Sequence, residues 1–319
     1  MTSADDREAL VKQRSGPAAR KRHRAEPLCG GGASRGDQVG ERITTVDRDG
    51  LTFDVRDEGP IGGEIVVLLH GFPQDSRSWE GVAPILHDAG YRTIAPDQRG
   101  CSPRARPRRR RDYRIPQITE DAVALIEAVG AGSRVHLVGH DWGSVIAWSV
   151  AARRPDLVQS LTAVSVPHPA AFLRAFVTST QLLRSWYMLL FQFPWIPEFL
   201  LSNERIANSV LRGSGQPRAA AARDAARLAD RSAVRGGVNW YRAMLWTDPK
   251  ATLDPVTVPT LMVWSDRDIA VGPAGVDATP HYVSGPYRSE TLAGVSHWIP
   301  DEVPDELARL VVEHATANS

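Results

Sequence analysis

At 319 residues the chain is long enough for one large domain, or for a core with one insertion. A formal net charge of +1 supplies no global field for holding nucleic acid, and 42% hydrophobic against 24% charged residues is an ordinary globular balance. No apolar run approaches the roughly 18 residues of a membrane span, and the two cysteines, Cys29 and Cys101, are too few for a disulfide framework and form no metal-ligand pair, which suits a reducing cytoplasm.

Residues 1–40 read as a disordered leader. They carry Arg20-Lys21-Arg22 and Gly30-Gly31-Gly32 without a sustained hydrophobic period, Asp5, Asp6, Glu8 and Glu26 dilute the basic charge, and the apolar stretch of a signal peptide is missing. From Ile43 onward strands alternate with helical patterns. Ile65–Leu69 is a continuous apolar run, as a strand covered on both faces requires, and Tyr91–Ala95 gives another strand. The seven arginines of Arg104–Arg114 are broken by Pro107 and read as a solvated loop. Pro116–Val129 has the spacing of an amphipathic helix, Val135–Val138 is a buried strand, and the helix Ser144–Ala152 follows it closely. Leu161–Val166, Thr260–Trp264 and Arg288–Leu292 continue the strand series, and a helix over Pro304–His314 closes it. Such alternation implies a mostly parallel sheet between helical layers. Residues 167–252 interrupt it with helical periods rich in Leu, Phe, Trp, Ala and Arg; the apolar patch Trp186–Leu201 within them is broken by Pro194, Pro197 and Glu198. The expected organisation is a core of residues 41–166 and 253–319 with a helical cap of residues 167–252.

Gly139-His140-Asp141-Trp142-Gly143 lies between a predicted strand and a predicted helix, where flanking glycines permit a sharp turn that lifts the central side chain above the sheet. His70-Gly71-Phe72-Pro73 follows the first buried strand. A turn there can aim the Phe72 N–H at the elbow, with the Trp142 N–H as a second donor, making an oxyanion hole; the Phe72–Pro73 bond is a candidate for cis. Ser265-Asp266-Arg267-Asp268 follows a later strand, and one of its two carboxylates is expected to orient a histidine. Of nine histidines, His297 is the one that falls after that acid on a loop between a strand and the last helix. The chain order nucleophile, acid, histidine is that of the α/β-hydrolase fold.

These motifs resemble the epoxide hydrolase branch of the α/β-hydrolase superfamily, over a stretch from about Ile43 to the C-terminal helix. The shared features are His-Gly-x-Pro, Gly-x-Asp-Trp-Gly, a four-residue turn ending in the triad acid, and Gly-x-x-His near the C-terminus. The resemblance implies Asp141 as nucleophile, His297 as base, Asp268 rather than Asp266 as acid, and two cap tyrosines that hydrogen-bond the epoxide oxygen. Asn239-Trp240-Tyr241-Arg242 matches the second tyrosine. For the first, some relatives place Tyr just before Phe-Gln, where this chain has Leu190, leaving Tyr187 either as that partner or as cap packing.

The implied reaction opens an epoxide to a vicinal diol through an alkyl ester on Asp141, needs no metal or organic cofactor, and takes a small apolar epoxide and water. Haloalkane dehalogenases share an Asp nucleophile followed by Trp, but often place Asn next to the His-Gly turn, where Phe72 stands. Fluoroacetate-type dehalogenases resemble the His-Gly-Phe-Pro region and usually carry Arg at the position of Trp142. A non-catalytic ligand receptor on the same fold is the alternative from another class; the intact set Asp141, Asp268 and His297 weighs against it.

Overall fold

The computed structural model describes residues 41–248 and 253–319; the expected leader over residues 1–40 lies outside them. Eight strands form one sheet in the order β1-β2-β4-β3-β5-β6-β7-β8: β1 Thr45–Arg48, β2 Leu51–Glu58, β3 Ile65–Leu69, β4 Arg92–Pro96, β5 Val135–His140, β6 Val158–Val164, β7 Thr260–Ser265 and β8 Tyr287–Leu292. The β1–β2 and β2–β4 pairs are antiparallel and every later pair is parallel. The sheet is buried where the sequence is continuously apolar: Val66 to Leu69 of β3 and all of β5 and β7 are covered.

Helices α1 Ala83–Asp88, α2 Ile115–Gly130 and α3 Trp142–Arg153 connect the first strands. Ile118, Ala122, Leu125, Ile126 and Val129 form the buried stripe of α2, at the spacing that brings one helix face onto the sheet. Between β6 and β7 the described residues contain helices and no strand: α4 Pro169–Thr178, α5 Gln181–Arg184, α6 Trp186–Leu190, α7 Ile196–Leu201, α8 Glu204–Gly213, α9 Arg218–Leu228 and α10 Arg231–Ala243. Helix α11 Pro273–Ala278 lies between β7 and β8, and α12 Ile299–Glu302 and α13 Pro304–Thr316 follow β8. No described helix is long and apolar enough to cross a membrane.

Parallel pairing aligns the strand ends that matter. Leu69 is paired with Gly139, His140 with Val164, Val164 with Val263, and Ser265 with Leu292. The loops that leave β3, β5, β7 and β8 therefore emerge along one edge of the sheet, the carboxyl edge where ligand sites gather in open α/β folds.

Candidate active site

Asp141 is the single residue between β5 and α3, with φ +52° and ψ −118°. A non-glycine residue there is strained by about 1–3 kcal/mol and persists because its surroundings over-determine it. The flanking glycines are part of that constraint. A Cβ on Gly139 would strike the Gly143 carbonyl, and a Cβ on Gly143 would strike the carbonyl of Leu69. The elbow thus closes only if both positions lack a side chain, and it holds Asp141 buried at the carboxyl edge, 8% exposed.

The Phe72 N–H donates to Asp141 Oδ1 at 2.8 Å, and the Phe72–Pro73 peptide is cis, as expected for this turn. Trp142 is the first residue of α3, so its backbone N–H is one of the donors a helix start leaves without an intrahelical partner. His297 lies in the loop after β8. Its Nδ1 is 2.7 Å from Asp268 Oδ2, and its Nε2 is 3.6 Å from Asp141 Oδ2. Asp268 Oδ1 accepts from the N–H groups of Ala270 and Val271 at 2.8 and 2.9 Å, which fixes the carboxylate plane. Asp266, by contrast, is exposed and accepts from the Gly294 N–H at 2.7 Å.

The histidine loop is held from below. The His297 carbonyl meets His140 Nε2 at 2.9 Å and accepts from the Ser165 hydroxyl at 3.1 Å, while the Ser265 hydroxyl donates to the Ser296 carbonyl at 2.8 Å. Burial lowers the His140 pKa to about 4, so this ring is neutral and serves as a strut. Burial also acts to lower His297, but the adjacent Asp268 and Asp141 carboxylates win and push it up to about 10. For Asp141 burial acts to raise the pKa, yet His297, His140 and the Phe72 N–H together hold it below the usual carboxylate range. An ionised Asp141 facing an imidazolium is the resting state these directions describe.

Tyr241, on α10, and Tyr187, on α6, approach from the helical insertion, with ring centroids 5.9 Å apart. Tyr241 packs edge-on against Trp142 at 5.1 Å and Phe191 at 4.9 Å. Burial, reinforced by the Asp141 charge, raises both phenols well above 10, so both hydroxyls stay protonated. Two cavities meet at this point, one of about 590 Å³ and one of about 140 Å³, and Asp141, Tyr187 and Tyr241 line both. His297, Trp298 and Phe72 line the larger, and Val145, Phe172 and Met244 the smaller.

Asp141, His297, Asp268, Phe72, Trp142, Tyr241 and Tyr187 are therefore gathered at one place, and Asp266 lies apart from them. Two further residues were not anticipated. Arg184 Nη1 donates to the Asp268 carbonyl at 2.9 Å, and Gln181 bridges the Ala270 carbonyl and the Gly272 N–H at 2.6 and 2.8 Å. Both tie the insertion to the loop that carries the acid, across 84 to 91 residues of chain. No local sequence pattern announces such a pairing.

The α/β-hydrolase fold family model matches residues 64–304. The chain is 33% identical over 313 residues to epoxide hydrolase A of Mycobacterium tuberculosis, covering 85% of this chain and 96% of that protein. It is also 33% identical over 275 residues to epoxide hydrolase 3 of Xenopus tropicalis, covering 82% of this chain and 74% of that protein. Among solved structures it is similar to epoxide hydrolase A from Mycobacterium thermoresistibile, with a TM-score of 0.70 and 28% identity over 86% of this chain and 98% of that one.

Proposed function

The chain belongs to the α/β-hydrolase fold family, in its epoxide hydrolase branch, and on that premise we propose that it opens epoxides to vicinal diols through an ester on Asp141. The observation that carries the mechanism is the placement of a strained Asp141 and two tyrosines along the same walls, where the two cavities meet. Helices α4–α10 act as the cap of residues 167–252, supplying the tyrosines and closing the site over the core of residues 41–166 and 253–319.

In the first step Asp141 Oδ2 attacks an epoxide carbon. Oδ1 is already engaged by the Phe72 N–H and becomes the ester carbonyl oxygen. The C–O bond of the ring breaks, and the departing oxygen takes a proton from Tyr241 or Tyr187. Esterification removes the negative charge of Asp141, and with it one of the two carboxylates that support the His297 imidazolium. The imidazolium gives up a proton that restores the tyrosinate, leaving a neutral base when water enters. In the second step His297 takes a proton from that water, which adds to the ester carbonyl carbon. The Phe72 and Trp142 N–H groups hold the resulting oxyanion, and Asp268 steadies the recharged imidazole. Collapse breaks the bond between the carbonyl carbon and the alkyl oxygen, which takes the proton of the newly added hydroxyl, so that Asp141 returns as carboxylate and His297 as imidazolium. The diol leaves with one former Asp141 oxygen, and the water oxygen remains in the carboxylate.

Two largely apolar cavities on either side of the reacting groups suit an epoxide with apolar substituents on both carbons. The phenols suit an alkoxide leaving group better than a halide. Steady-state assay of an epoxide panel with a haloalkane control tests the proposal, and a single turnover in ¹⁸O-water tests the route: label belongs in Asp141 and not in the first diol released. Halide release without diol formation would favour the dehalogenase reading, and binding without turnover would favour a receptor.

A further inference from the structure

Beyond the hydrolytic site, the outer face of the cap combines two features that rarely coincide on a monomer surface. The stretch from α6 to α7 exposes large apolar side chains: Trp186 is 63% exposed, Leu189 67%, Trp195 79% and Phe199 64%. Large apolar side chains exposed this closely along one short stretch mark an interaction surface rather than scattered solvent contact. Trp195 and Phe199 also wall a surface cavity of about 640 Å³ together with Arg108, Arg110, Arg231 and Arg235. The two neighbouring carboxylates are already taken, Glu198 by Arg242 at 2.6 Å and Asp230 by Arg106 at 2.6 Å. Among the described residues, none of the four wall arginines makes a salt bridge, although Arg110 acts on Glu198 at longer range. Two of them belong to the arginine-rich stretch Arg104–Arg114, for which the reaction has no use.

We infer that this face docks on an anionic lipid bilayer, with the aromatic side chains at the headgroup level and the arginines against lipid phosphates. Tryptophan and phenylalanine beside arginine is the composition of a surface that lies on a bilayer without crossing it. The larger cavity is also rimmed by exposed apolar side chains, Leu183, Trp186, Val210 and Ile269, of which Trp186 belongs to this same stretch. A second copy of the chain is the poorer occupant, because a two-fold contact sets a surface against itself and would bring like-charged arginines together.

The test is co-sedimentation of the full chain with vesicles of phosphatidylcholine, alone or mixed with phosphatidylglycerol. Binding to the mixed vesicles is expected, weak binding to the neutral ones, and loss of the difference at high salt. Each arginine near an anionic surface is worth about a fivefold change in affinity, so Arg231→Gln with Arg235→Gln should weaken binding by about 25-fold. Trp195→Ser with Phe199→Ser should weaken it as well, while turnover of a small water-soluble epoxide stays unchanged, since neither side chain lines the cavities at Asp141. The inference is overturned by equal binding to both vesicle types, or by either double variant binding as the parent does, which would move the contact elsewhere on the chain. Binding of inorganic pyrophosphate without vesicle binding would overturn it in favour of a soluble anion. Sedimentation equilibrium showing a dimer that Trp195→Ser dissolves would overturn it in favour of self-association. Binding is read without turnover, so failure here leaves the hydrolase reading untouched.

Discussion

Replacing His297 with Gln separates the two chemical steps. The amide keeps the approximate size of the imidazole and can still donate to Asp268, now 2.7 Å from His297 Nδ1, but it cannot accept the proton of the attacking water. Losing a positioned general base costs about 10²–10⁴ in rate, or about 2.7–5.4 kcal/mol of barrier. Ring opening itself loses none of its reacting groups; only the later return of a proton to the tyrosinate loses its donor. Asp141 keeps its Phe72 hydrogen bond, and without the imidazolium its pKa rises, which makes the carboxylate more basic. With formation nearly intact and hydrolysis slowed by about 10²-fold or more, well over nine tenths of the enzyme should rest as the ester. Removing one member of a buried charge pair destabilises by about 3–5 kcal/mol at most contexts of this kind, and the Ala270 and Val271 N–H groups still satisfy Asp268, so a melting curve must accompany the kinetics. The assay is a single turnover, acid quench and intact mass, followed by peptide mapping across residues 135–153. An adduct on any residue other than Asp141, or diol at the full rate with no adduct, would refute the carboxylate-nucleophile reasoning.

The same geometry separates the two aspartates of the turn. Asp268→Asn should lower turnover by about 10⁴-fold, the scale of a triad that loses its acid's charge, whereas exposed Asp266→Asn should leave turnover intact and change stability by no more than about 0.5 kcal/mol; the reverse ranking in a kinetic comparison would reassign the acid. The raised His297 pKa also makes stability depend on pH. A group whose folded pKa is raised stabilises fully below its unfolded value, about 6.5, and that contribution is lost as the pH rises toward about 10. The melting temperature should therefore fall between those limits and fall less steeply in His297→Gln; parallel curves would mean the imidazole does not carry the effect. NMR titration of Asp141→Asn should find the His297 imidazole at a lower pKa than in the parent protein, because one of its two carboxylates is gone.

The sheet was legible where burial demands one kind of residue. β3 and β5 are covered on both faces, so their apolar runs identify them and also locate the turns that carry Phe72 and Asp141. β2 was not singled out because its inward positions include a charge: Asp57 is buried and is paired with Arg92, whose Nε donates at 2.8 Å. An alternation that counts apolar residues misses a strand whose inner face is partly ionic. The elbow was legible for a steric reason, since only glycine fits at 139 and 143. The choice between Asp266 and Asp268 was not open to spacing alone. It depends on which side chain turns inward, and the resemblance to relatives carried it. Arg184 and Gln181 were invisible because their partners are set by how the insertion folds back over the core.

Tyr187 is the residue for which sequence left two roles open, and its position on α6 makes them separable. It lines both cavities beside Asp141, with its ring 5.7 Å from Phe191 and 5.9 Å from Tyr241, whereas Leu190, three residues on, lines neither. A helix rises about 1.5 Å per residue, so moving the phenol to position 190 carries it about 4.5 Å along the axis, beyond the reach of a hydrogen bond of about 2.7 Å. If both phenols serve the leaving oxygen, one can partly stand in for the other. Each single change to Phe should then slow ester formation by about tenfold or more, and the pair together by the full 10²–10⁴ or so of a lost general acid. The double variant Tyr187→Leu with Leu190→Tyr, which restores the spacing of some relatives, should be as slow as Tyr187→Phe. Pre-steady-state measurement of ester formation, made in the His297→Gln background so that the ester accumulates, reads this directly. A parent-like rate in Tyr187→Phe would reduce Tyr187 to packing for Tyr241, and a recovered rate in the exchanged pair would place the donor at the turn before Phe191 instead.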